Sequence, residues 1–140
     1  MKKIICILVA TMMMAFGSIC NASDSSDLSS EQKTAQLFID AFKGEKVPAY
    51  DVLSRNFSDG LKNQFKEANY SGLQRNIKNT FGTLTEDKFY IYQRQEQNDI
   101  VAYNVTFDSN KQAQLIFIFD KDQKLVNVAV QPINTQQQSE

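Results

Sequence analysis

Gln114-Leu115-Ile116-Phe117-Ile118-Phe119 is the densest apolar run of the 140-residue chain outside its first twenty positions, and it decides the fold. Six residues are too few for a buried helix. Bounded by polar positions and rich in β-branched and aromatic side chains, they read as a central β-strand covered on both faces. The same period of two continues on either side. Phe89 and Ile91 alternate with Tyr90 and Tyr92, then Val101, Tyr103, Val105 and Phe107 with Ala102, Asn104 and Thr106, and Val126, Val128 and Val130 follow the central run. The connections at 95–99, 108–111 and 120–124 are short and polar, the lengths that join antiparallel neighbours. The expectation is a four-stranded meander over 88–132, stopped by Pro132.

Upstream the period is that of a helix. Ser29 with Gln32 forms a capping box opening a helix whose apolar stripe is Ala35, Phe38, Ile39 and Phe42, and Gly44 ends it. A short helix over 46–54 carries Pro48 at an early position, with Tyr50 and Leu53 turned inward. A third piece starts at Ser58-Asp59-Gly60, and a second capping box, Ser71 with Gln74, leads Leu73, Ile77 and Phe81 into a stop at Gly82. The fold class is therefore α+β, with three to four N-terminal helices packed on a curved four-stranded antiparallel sheet.

The chain opens with Met1-Lys2-Lys3, an apolar run from Ile4 to Phe16, and the small and polar residues Gly17, Ser18, Asn21, Ala22 and Ser23. These are the three parts of a secretory signal peptide, with cleavage expected after Ala22. Lipidation at Cys20 is the alternative, disfavoured because Ile19 stands where a small residue is needed. The expected organisation is a signal peptide over 1–22, a Ser- and Asp-rich linker over 23–29, one domain over 30–133 and a disordered Gln-rich tail over 134–140, giving a periplasmic or extracellular protein.

Loss of Lys2 and Lys3 with the leader takes 15 basic side chains to 13 against 16 acidic ones. A net charge of −3 without a basic cluster argues against nucleic acid, and against membrane contact after signal cleavage. Both cysteines, Cys6 and Cys20, fall in the leader, so the exported domain rests on its core without disulfides. Histidine is absent, which removes Ser-His-Asp and Cys-His nucleophile systems and histidine metal sites. No cofactor is expected. Asp120-Lys121-Asp122 fails as a calcium loop because Lys124 occupies an oxygen-ligand position.

Helices followed by a four-stranded antiparallel sheet is a layout similar to the cone-shaped fold of nuclear transport factor two and ketosteroid isomerase. The chain resembles more closely a bacterial exported family of unknown function with that fold. The residues that carry the resemblance are Ala41-Phe42-Lys43-Gly44-Glu45, Phe81-Gly82, and the segment from Phe119 through Asp120-Lys121-Asp122-Gln123-Lys124-Leu125 to Gln131-Pro132, with Gln123 standing where that family usually has glycine. The resemblance implies a cavity between helices and sheet.

A binding module would hold a small, partly apolar ligand there, lined by Phe42, Tyr50, Phe81, Phe89, Tyr103 and Phe117, with Arg75 or Arg94 able to take an anionic group bidentately. An isomerase-like enzyme would use Asp51 beside Tyr50 with Tyr103 opposite, and the absent histidine weighs against it. The other face of the sheet, carrying Tyr90, Tyr92, Ala102, Ile116, Ile118, Leu125 and Ala129, is apolar enough to expect a homodimer through Tyr90, Tyr92, Ile116 and Ile118. On that reading the chain is an interaction protein.

Overall fold

The structure, a computed structural model, describes residues 25–133; the leader, both cysteines and the C-terminal tail lie outside the described residues. Helix α1 spans Ser25–Lys43, α2 Tyr50–Leu53 with a 3₁₀ turn over Ser54–Asn56, α3 Asp59–Gln64 and α4 Glu67–Thr80. Strands β1 Leu84–Arg94, β2 Asp99–Phe107, β3 Gln112–Phe119 and β4 Leu125–Ile133 form one antiparallel sheet in the order β1-β2-β3-β4. The α+β arrangement and the meander are as expected. Among the described residues no helix is long and apolar enough to cross a membrane.

Two helix starts differ from expectation. Helix α1 is already formed at Ser25, the first described residue, so residues 25–29 of the segment read as a linker are helical and Ser29 lies inside the helix. Helix α4 begins at Glu67, four residues before Ser71, and the Asn69 Oδ1 accepts the Lys66 amide at 2.8 Å. Ser58, by contrast, caps α3 by accepting the Leu61 amide at 3.2 Å.

Strand β3 reads as written. Ala113, Leu115, Phe117 and Phe119 are fully buried toward the helices, and Gln112, Gln114, Ile116 and Ile118 are half-buried on the other side. Its neighbours are less regular. Strand β1 has register shifts at Leu84/Glu86 and Phe89/Ile91, so Thr85 and Tyr90 are extra residues. A bulge reverses which face the following side chains take. Phe89 and Tyr92 consequently share the helix side while Ile91 turns outward, which corrects the simple alternation expected for this strand. The shift between Ile118 and Phe119 does the same in β4, where Leu125 belongs to the core rather than the outer face.

The register lays out both faces in rows. Toward the helices run Phe89–Tyr103–Leu115–Val130, Tyr92–Val101–Phe117–Val128 and Arg94–Asp99–Phe119–Leu125. Outward run Ile91–Ala102–Ile116–Ala129, Lys88–Asn104–Gln114–Gln131 and Glu86–Thr106–Gln112–Ile133. Both edges are blunted against strand addition: β1 by its two bulges and Lys88, β4 by Pro132 and by Phe57, which pairs with Leu125.

Candidate functional site

The expected lining of the cone is packed core. Phe38 and Phe117 lie 5.6 Å apart, Phe38 and Phe42 6.5 Å, and Tyr103 meets Phe117 edge-on at 6.2 Å. Phe81 stacks on Phe107 at 4.8 Å, at the far end of the sheet from these rings. Aromatic pairs at such separations attract beyond their area burial, so the rings satisfy one another. Phe89 is the exception: its ring touches Tyr103 at 5.7 Å, yet it is 46 % exposed at the sheet edge.

The polar candidates scatter. The Tyr50 hydroxyl donates to the Phe65 carbonyl at 2.6 Å, which ties α2 to the end of α3. Asp51 is exposed, and the Tyr103 hydroxyl is occupied by Gln32, so the isomerase-like trio is not assembled. Burial raises Tyr103 above the ordinary tyrosine range, which keeps it protonated. Arg75 is exposed on α4.

Arg94 does enter the helix–sheet interface, at the mouth of the β1–β2 hairpin. The bulge at Tyr90 puts it there, since unbroken alternation would have aimed it outward. Its Nε donates to Asp99 Oδ1 at 3.1 Å, and one Nη donates to Asp99 Oδ2 at 3.0 Å and to Asp27 Oδ2 at 2.9 Å. Lys121 Nζ lies 3.7 Å from Asp99 Oδ1, and the Tyr92 hydroxyl approaches Oδ2 at 3.4 Å. Beside them stands Glu31 of α1. Glu31 and Asp99 are both fully buried.

Among the described residues no N–H or hydroxyl donates to either Glu31 oxygen. What Glu31 meets is the Asp99 carboxyl. Two carboxyls in contact need a proton between them, and the charges decide who keeps it. Burial, then the hydrogen bond and negative charge of Asp99, push Glu31 up to about 9. Burial would raise Asp99 too, but the hydrogen bonds from Arg94 and Glu31 and the charges of Arg94 and Lys121 hold it below the usual carboxylate range. Glu31 is thus a neutral acid donating to an Asp99 carboxylate. Neither was singled out in the sequence, although Glu31 sits four residues before Ala35 on the α1 stripe and Asp99 two before Val101 on the inward side of β2.

A second polar locus lies on the opposite side of the sheet. A groove of about 310 Å³ is lined by Glu86, Lys88, Asn104, Val105, Thr106, Gln112 and Ile133, drawn from all four strands. Across it the Gln114 amide donates to Asn104 Oδ1 at 3.0 Å. No metal cluster of His, Cys, Asp or Glu side chains occurs among the described residues. No family model, curated protein or solved structure matches this chain.

The dimer face is altered as well. Tyr92 packs against the core, so of the four residues expected at such an interface Tyr90, Ile116 and Ile118 remain outward. Tyr90 is 56 % exposed because it is the bulge residue.

Proposed function

We propose that the chain is an exported, non-catalytic binding module that takes a small polar ligand on the outward face of its sheet. The observation that carries this reading is the groove over Glu86, Lys88, Thr106 and Gln112. The side chains of these four make no hydrogen bond or ion pair with other described residues, and Asn104 beside them accepts only from Gln114, whereas the rings expected to line an interior pocket pack on one another. Its volume matches the lower end of small-molecule sites. The lining pairs one cation with one anion, so it sets up no net field for a phosphate or other polyanion. Hydroxyl and amide groups both donate and accept, which suits a neutral ligand carrying hydroxyl or amide groups.

The test is a backbone NMR titration of the purified domain with glucose, N-acetylglucosamine and glycylglycine, each taken separately. Shifts centred on Lys88, Thr106 and Gln112, lost in Thr106→Val and Lys88→Met, are the expected result. Absence of shifts with all three probes, or shifts centred on Phe42 and Phe117, overturns the reading. So does a dimer in sedimentation that Ile116→Glu disperses, because a second copy would then occupy this face.

A further inference from the structure

We propose that Glu31 and Asp99 form a proton-held latch that fastens the first turns of α1 to the β1–β2 hairpin and releases them when the shared proton leaves.

The geometry carries this in three steps. The first is placement. Asp27 and Glu31, one helical turn apart on α1, face Arg94 and Asp99, which are directly opposite on β1 and β2. Among the described residues, Tyr92 of β1 and Lys121 of the β3–β4 turn also face the pair. The ties from the start of α1 to this hairpin include these carboxyl groups and the hydrogen bond between Gln32 and the Tyr103 hydroxyl.

The second step is charge. With Glu31 protonated, the anions Asp27 and Asp99 meet the cations Arg94 and Lys121. Removing the proton adds an anion beside Asp99 and turns the hydrogen bond of Glu31 to it into a repulsion. Both side chains are fully buried, so water cannot solvate the new charge unless the site opens.

The third step is where opening occurs. Beyond Thr34 the helix is held by Ala35, Phe38, Ile39 and Phe42, which are packed among core rings that do not titrate. Before Thr34 the attachments among the described residues include the carboxyl ties, the partly buried Leu28 and the hydrogen bond between Gln32 and Tyr103. Release is therefore local, confined to the first turns of α1, while the sheet and the rest of the helix stay formed. The burial that raises Glu31 to about 9 places release on the alkaline side of neutrality. The latch stands independently of the outward groove.

The experiment is amide NMR of the whole domain across pH 6 to 10, with hydrogen exchange at each end. The amides of residues 27–34 are expected to shift together with one inflection near pH 9 and to lose protection above it, while those of Phe38–Phe42 and Leu115–Phe119 hold theirs. Glu31→Gln, whose neutral amide can still donate to Asp99, should abolish the inflection and keep protection at pH 10. Lys121→Arg should leave it in place, which excludes the lysine as its source. Should Glu31→Gln fail to fold, the Glu31 side-chain carboxyl carbon is followed directly in the unaltered protein. An inflection surviving Glu31→Gln, a Glu31 carboxyl titrating near 4.5, or loss of protection spread over the whole sheet each overturns the latch.

Discussion

Arg94 and Asp99 face each other as the closing cross-strand pair of the β1–β2 hairpin, joined by two hydrogen bonds of 3.1 and 3.0 Å on the side covered by α1. The pair is bidentate, and its carboxylate partner is fully buried. Replacing the arginine leaves two acids in the interface without their guanidinium. Arg94→Met is expected to cost about 3–5 kcal/mol in denaturant unfolding, as loss of one partner of a buried ion pair does. Arg94→Lys should recover only part of that, because a single ammonium cannot reproduce the two-pronged contact. An effect below about 1 kcal/mol for Arg94→Met would mean that the cluster is solvated.

Stability should also depend on pH in a stated direction. Glu31 has a folded value of about 9 against 4.5 unfolded, so the folded chain holds one more proton between those limits. Its contribution is complete below 4.5 and declines as pH rises toward 9, with a slope of at most about 1.4 kcal/mol per pH unit. Asp99 is depressed below 3.8, so its contribution is present above that value and disappears in stronger acid. The melting temperature should therefore peak in mild acid near pH 4–5. In Glu31→Gln the decline toward pH 9 should flatten, which thermal melts at half-unit pH steps would read.

Phe117 and Phe89 lie on neighbouring inward rows but are buried to different extents. Phe117 has no exposure and contacts Phe38 and Tyr103. Phe117→Ala should cost about 3–5 kcal/mol in transfer and cavity terms. Phe89, nearly half exposed, should cost under about 1.5 kcal/mol as Phe89→Ala, since little apolar surface leaves water there. Paired urea melts decide whether this ordering holds.

Gly82 joins α4 to the sheet at φ +107°, and a Cβ there would run into Asp108 Oδ1, the acceptor of the Thr83 amide at 3.2 Å. Gly82→Ala combines a left-handed backbone with a steric conflict and a disturbed hydrogen bond. A loss of about 2–3 kcal/mol is expected. Gly44, at φ +78° with nothing near its Cβ position, should lose only about 1 kcal/mol as Gly44→Ala. Comparing the two melts separates the clash from the conformational cost.

How much was legible follows from which interactions are local. The period of 3.6 in the helices, the alternation of β2 and β3, the stops at Gly44 and Gly82 and the helix start at Ser58-Asp59-Gly60 depend on near neighbours in the chain. Each appears as expected. The bulge at Tyr90 was not legible, because Phe89-Tyr90-Ile91-Tyr92 satisfies strict alternation equally well. That one extra residue moved Tyr92 off the outer face and Arg94 into the interface. Arg94 was named as a possible anion binder, and the anions it binds include the protein's own Asp27 and Asp99.

Taken alone, the order of residues determined an α+β chain with helices first, an antiparallel meander after them, Leu115 to Phe119 at its centre, and chemistry that does without histidine. Tertiary structure decided the rest: that the aromatic rings pack against one another, that Glu31 and Asp99 meet over 68 positions of chain, and that four strands open a polar groove on their outward side. The physical reason is range. Backbone hydrogen bonding and side-chain period act over a few residues, whereas the protonation of a buried acid is set by whichever distant charges the register brings beside it.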